Sequence, residues 1–397
     1  MANSIQQPLA AQPAPEGLPL LRLGFRPFYV GAALFAVVAM VLWYPIFLGR
    51  MAPASGVAPV LWHAHEMLFG FAAAVIVGFL LTAGKAWTGL PTPRGARLGA
   101  LFALWGAARI AALVAPYPVF FWLDVLFLPV VAALFIALLL RAGNTRNLKI
   151  GAVLALLGVA NLVFHLAASG AVAIDPVRAL YGALALIIVL ESIMGGRVIP
   201  SFTMNATPGL KLPGAPRRDA VAIVLTALGL ACWTFNGPRV LSAVLLGGAA
   251  VLHAVRCVSW KPWATFTRPI LWILHLSYAW IPAGLALLAA AQMGWLPASA
   301  GVHALAVGAT GGLIIGMLTR TARGHTGRPL TVSPVETLAY VMVLAAALVR
   351  VAVPMAWPSL YAPALLTAGV LWIAAFTIYL ARYTPWLAAG RLDGKDG

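Results

Sequence analysis

Apolar runs of bilayer length repeat along this chain almost from end to end. A helix that crosses a membrane needs about 20 mostly apolar residues. Twelve such runs can be drawn, at 27–48, 60–84, 97–115, 118–140, 149–170, 178–202, 219–236, 239–259, 268–292, 299–321, 333–352 and 358–381. Helix-breaking residues fall between them: Pro91 and Pro93, Pro116 and Pro118, Gly143 and Asn144, Pro213 and Gly214, Gly237 and Pro238, and Gly327 and Pro329. The pattern predicts an all-α, polytopic membrane protein of about twelve transmembrane helices. Residues 23–384 form its single domain. Residues 1–22 are expected to be a disordered tail, and 385–397 a second short tail.

Composition agrees. The chain of 397 residues is 62% hydrophobic and 9% charged, against about 25% charged in a soluble domain. The net charge of +17 does not point to nucleic acid, because no basic face or aromatic-basic module accompanies it. Its placement is topological. Of the 26 Lys and Arg, 20 fall in segments on one side of the twelve-span layout and four (Arg50, Arg178, Arg239 and Arg350) on the other. Positive charge is retained on the cytoplasmic side, so both termini are expected there. The start of the chain lacks the basic and apolar regions of a signal peptide. Two cysteines, Cys232 and Cys257, without a CxxC pair, argue against a disulfide framework or a thiolate metal site. No phosphate-binding loop, dinucleotide fingerprint, nucleophile elbow or HExxH motif occurs.

Charges inside the spans need partners. Arg109 lies about six residues before the end of span three, and Asp124 about six residues into span four. The tight turn between them makes the spans antiparallel neighbours, which brings both groups to one depth. A buried Arg109–Asp124 ion pair is expected, in a structural role. Glu66 directly follows two histidines and is placed to orient an imidazole or carry a proton. Glu191 sits near mid-membrane as a proton-path carboxyl or as helix–helix glue. Arg197, about 240° further around the helix, does not share its face.

Imidazole is the commonest side-chain ligand for transition metals, so the seven histidines are the candidate chemistry. His63, His65, His165 and His303 fall in the outer third, and His253, His275 and His325 toward the inner side. His63 and His65 lie about 200° apart on a regular helix and cannot both reach one ion. They serve two centres, or the helix starts between them. His303 enters its span at a similar depth and is the natural partner from another helix. His275, with Tyr278 one turn on, is a further candidate ligand, and His325 a weaker one at the inner surface. His165 and His253 read as hydrogen-bonded polar residues.

Several segments together resemble the NnrS family. They are Leu23-Gly24-Phe25-Arg26-Pro27-Phe28, Trp62-His63-Ala64-His65-Glu66-Met67-Leu68-Phe69-Gly70-Phe71 and Gly195-Gly196-Arg197-Val198-Ile199-Pro200-Ser201-Phe202-Thr203, then His275 to Trp280, His303-Ala304-Leu305 and Gly324-His325-Thr326-Gly327-Arg328-Pro329. The resemblance runs in order through nearly the whole chain. It implies a bacterial membrane protein containing haem and copper, linked to nitric oxide metabolism, nitrosative stress and denitrification partners. It does not define a reaction.

Two other functions stay open on the residues. Glu66, Glu191 and Arg197 would line the pathway of a proton- or ion-coupled transporter. The same histidines would hold copper transiently in a metal-delivery or assembly factor for respiratory enzymes.

Overall fold

The computed structural model describes residues 17–395; the greater part of the expected N-terminal tail lies outside them. Twelve long helices and no strand occur among the described residues. They are α1 (Phe25–Phe47), α2 (Pro59–Thr88), α3 (Ala96–Val114), α4 (Tyr117–Arg141), α5 (Leu148–Ala168), α6 (Pro176–Ala206), α7 (Pro216–Thr234), α8 (Arg239–Ser259), α9 (Pro269–Gln292), α10 (Ala298–His325), α11 (Pro334–Ala356) and α12 (Tyr361–Ala388). Eleven are long and apolar enough to cross a membrane. The exception is α7, whose first turn carries Arg217, Arg218 and Asp219. The fold is that of an all-α, multi-pass membrane protein.

Local chemistry sets the helix ends. Pro59, Pro176, Pro216, Pro269 and Pro334 occupy first turns, where a missing N–H costs nothing. Ser333 and Glu336 form a reciprocal capping box on α11. α2 stops at Gly89, whose φ of 69° suits a residue without Cβ.

Successive helices pack on one another, and α1 closes against α12. The Arg26 guanidinium donates to the carbonyls of Leu387 (2.8 Å) and Ala389 (2.7 Å). The start of α1 and the end of α12 therefore share one end of the bundle, here the proximal end. α2 and α10 are the most enclosed helices, 78% and 72% buried over their most apolar windows, against 33% for α8 and α11. The two helices that carry His63, His65, His303 and His325 thus form the centre, while α8, which carries His253, and α11 lie at the lipid-facing rim.

Two features depart from the pattern read in the sequence. The pair Gly195-Gly196 reads as a break in span six, yet α6 runs through it unbroken. The missing side chains instead admit the Tyr278 ring at Gly195 and the Arg256 guanidinium at Gly196. Conversely, α2 and α10 are irregular where the sequence gives no warning. Each widens into a π-helical segment directly after its histidines, Glu66–Ala72 in α2 and Ala304–Gly311 in α10. Such insertions occur often at functional sites.

Candidate metal and ligand site

α2 begins at Pro59, ahead of both histidines, so His63 and His65 leave one helical turn in different directions. They enter two separate environments in the distal half of the bundle.

His65 enters a buried polar cluster between α2, α3, α4 and α5. His65, Glu66, Arg109, Asp124, Asn161 and His165 are each at most 4% exposed. Arg109 donates to Glu66 Oε1 at 2.7 Å and pairs with Asp124 Oδ1. The other carboxylate oxygen, Asp124 Oδ2, faces His165 Nε2 (3.0 Å) and His65 Nε2 (3.1 Å), and accepts from Asn161 Nδ2 (2.7 Å). Arg109 and Asp124 are thus in contact, inside a larger network than a simple pair. Tyr117 closes it with its hydroxyl 3.1 Å from His165 Nδ1.

The contacts of His65 are informative. Nδ1 lies 2.9 Å from Glu66 Oε1, and Nε2 lies 3.0 Å from Asn161 Oδ1. Both ring nitrogens therefore face oxygen acceptors. Two carboxylates and one guanidinium also leave the cluster one positive charge short if the imidazoles are neutral. A second proton on imidazole or a bound cation closes that balance. One ligand atom each from His65, Asp124 and His165 lies within 4.8 Å of the others, an arrangement that can hold a metal ion. Its nitrogen and oxygen donors suit copper or zinc.

His63 enters a cavity instead. It stacks on Trp43, with ring centroids 4.3 Å apart and planes at 22°. The cavity, about 330 Å³, lies between α1, α2, α6, α10, α11 and α12 and is lined by both His63 and His303. The walls are mostly apolar, with Met40, Phe71 and Trp372 among them, while Arg350 and Tyr361 supply polarity near the distal helix ends. His63 Nδ1 is buried without a hydrogen-bond partner. His303 Nδ1 lies 2.7 Å from the Ser299 carbonyl. A carbonyl only accepts, so Nδ1 carries the proton and Nε2 keeps its lone pair. Each imidazole thus offers a nitrogen free of protein partners. Two such nitrogens in an apolar cavity beside a guanidinium form a donor set that haem and its carboxylates fit.

A separate, smaller pocket of about 110 Å³ lies between α1, α2, α6, α9 and α10 and is lined by Glu191 and Tyr29. Glu191 Oε2 and Thr310 Oγ1 are buried and have each other as polar neighbours, without a well-formed hydrogen bond. Thr310 itself lines the larger cavity.

The remaining sequence candidates lie elsewhere. His275 Nε2 meets Thr203 Oγ1 at 2.9 Å. Tyr278 does not join it; its hydroxyl accepts from Arg256 (2.5 Å) and lies 2.8 Å from His253 Nδ1. His325 packs against Phe25, at 5.3 Å between centroids. Arg197 donates to Asn147 Oδ1 at 2.8 Å. Sequence reasoning passed over Asn161, Tyr117, Arg350 and Thr310; His165, read there as a hydrogen-bonded polar residue, makes such bonds to Asp124 and Tyr117 and also joins the candidate metal site. One signal was available: Asn161 and His165 are four apart and share a helix face.

Fold and site together define a multi-pass helical membrane protein with a buried histidine–carboxylate centre beside a histidine-lined cavity. The family model described as NnrS protein matches residues 19–391. The chain belongs to the NnrS family. No curated protein matches it.

Proposed function

We propose that this protein is a haem- and copper-containing protein of the bacterial inner membrane that acts in nitric oxide metabolism and resistance to nitrosative stress, with both termini cytoplasmic. His63 and His303 hold haem in the distal cavity, and His65, Asp124 and His165 hold copper in the buried cluster. The observation that carries this reading is the cavity itself, whose two imidazoles each keep a nitrogen free. Haem iron and copper, when bound, supply centres that take up nitric oxide.

The chain's own residues prepare those centres. Ser299 fixes the tautomer of His303, and Trp43 holds the His63 ring by stacking. Glu66 orients His65 through Nδ1, and Arg109 balances part of the carboxylate charge. Nitric oxide is small and uncharged and dissolves in lipid, so a cavity among transmembrane helices lies on its path.

Absorbance and metal analysis of purified protein test the assignment. His63→Ala and His303→Ala should abolish the Soret band and keep copper. His65→Ala and His165→Ala should lose copper and keep the Soret band. Colourless, copper-free wild-type protein would sink the proposal and favour the transporter reading; chelatable copper without haem would favour metal delivery.

A further inference from the structure

The proximal end of the bundle holds a cluster of cations that the metal chemistry does not use. Trp386, near the end of α12, is surrounded by three guanidiniums. The central carbon of Arg328 lies 4.4 Å from its ring centroid, that of Arg382 4.9 Å, and that of Arg323 5.2 Å. They come from the loop after α10, from α12 and from α10. One indole face has a negative quadrupole and can favour a cation. It does not supply the full charge that three need.

The nearby carboxylates are committed elsewhere. Glu336 accepts from Arg323 through both oxygens (each 2.8 Å) and also meets Ser333 and Tyr383. Asp393 is paired with Arg391 at 2.7 Å. Arg328 makes one long contact, 3.4 Å to the Thr326 carbonyl. Arg382 is exposed, and no ion pair joins it or Arg328 to a carboxylate among the described residues. Burial, then the charges of Arg323 and Arg382, hold the Arg328 guanidinium below its ordinary pKa. Two guanidiniums thus stand together without a carboxylate partner among the described residues, where the helices leave the hydrocarbon.

We infer that Arg328 and Arg382, braced on Trp386, bind the phosphate of an anionic phospholipid headgroup. Guanidinium forks match phosphate oxygens in planar, bidentate geometry. An indole at the membrane–water boundary sits at headgroup level. The site lies at the proximal end, away from the distal cavity and cluster, so it stands independently of the haem and copper reading.

Native mass spectrometry and lipid titration of the full chain in mild detergent test this. Phosphatidylglycerol should be retained and phosphatidylcholine should not. Arg328→Gln/Arg382→Gln should weaken phosphatidylglycerol binding about 30-fold, from about 1 kcal/mol per arginine at a membrane surface and 1.4 kcal/mol per factor of ten. Arg141→Gln/Arg146→Gln, which removes the same charge elsewhere, should bind as wild type does. Equal loss in both double variants, unchanged retention in the first, or equal binding of phosphatidylcholine would each overturn the site. Inorganic phosphate that binds alone and displaces the lipid at similar concentration would overturn the lipid assignment. Should the first double variant fold poorly, Trp386→Leu with both arginines in place gives the second test, with weaker retention expected.

Discussion

Arg109 bridges two carboxylates that the chain separates by 58 positions, touching Glu66 with one nitrogen and Asp124 with another. Glu66 opens the π-helical segment of α2, and Asp124 presents its second oxygen to both buried imidazoles. Helix irregularity, ion pairing and the candidate metal ligands therefore meet in one guanidinium. Arg109→Met should destabilise the protein by about 3–5 kcal/mol, the cost of leaving buried charges without their partner. Adding Glu66→Gln should recover part of it, because one of the stranded charges is then gone. A double-mutant cycle on detergent melting curves reads the coupling. Additive losses would mean that the bridge carries no such role.

Gly70 is what lets that guanidinium lie flat. A Cβ there would meet the Phe35 ring and come within 3.1 Å of Arg109 Cδ and Nη1. Gly70→Ala should push Arg109 away from its carboxylates and cost about 1–3 kcal/mol as an overpacked core position. Under the proposed assignment, copper content should fall with stability, while the Soret band of a haem in the cavity on the other side of α2 should persist. A variant as stable and as copper-loaded as wild type would show that the pocket simply yields.

The twelve helices were legible because hydrocarbon thickness imposes a minimum apolar length on every crossing helix, although only eleven of them reach that length and apolarity, α7 falling short. The Arg109–Asp124 contact was legible too, since the turn at Pro116 fixes α3 and α4 as neighbours at matched depth. Other features depended on packing that no single helix records. The π segments of α2 and α10 contain glycines, Gly70 and Gly308, against which Phe35, Arg109 and Trp280 from other helices pack closely. His165 reads as bland until Asn161, on the same face, is known to point at the same carboxylate. Tyr278 shows the opposite failure. Helical spacing put it beside His275, but α8 offers Arg256 and His253, a stronger set of partners.

Asn161 separates copper binding from mere packing. Its Oδ1 faces His65 and its Nδ2 donates to Asp124, so one amide holds two candidate ligands in register. Asn161→Leu keeps the volume and removes both contacts. Stability should drop by about 1–3 kcal/mol, as for other buried groups left unpaired. Copper affinity should fall about 10–100-fold, as when outer-shell partners of metal ligands are lost. Copper titration followed by electron paramagnetic resonance checks this. Full copper retention with the same loss of stability would leave the cluster a structural network.

Glu191 offers a test in which stability and function move in opposite directions. Its Oε2 is buried in an apolar pocket without a well-formed hydrogen bond, and the Thr310 hydroxyl on the facing helix is its polar neighbour. A buried polar group in that state costs stability, and replacing it with an apolar side chain of similar size is neutral or favourable. Glu191→Leu should therefore raise the melting temperature and leave haem and copper contents unchanged, because the carboxyl touches neither candidate ligand set. If the carboxyl carries protons toward the cavity that Thr310 lines, the same variant should lower the growth advantage that the proposed function predicts for cells exposed to nitric oxide. Glu191→Gln should lower that advantage as well, since the amide keeps the shape but cannot exchange a proton. A lower melting temperature in Glu191→Leu would show that the carboxyl is helix–helix glue. Unchanged protection in both variants would remove it from any proton path.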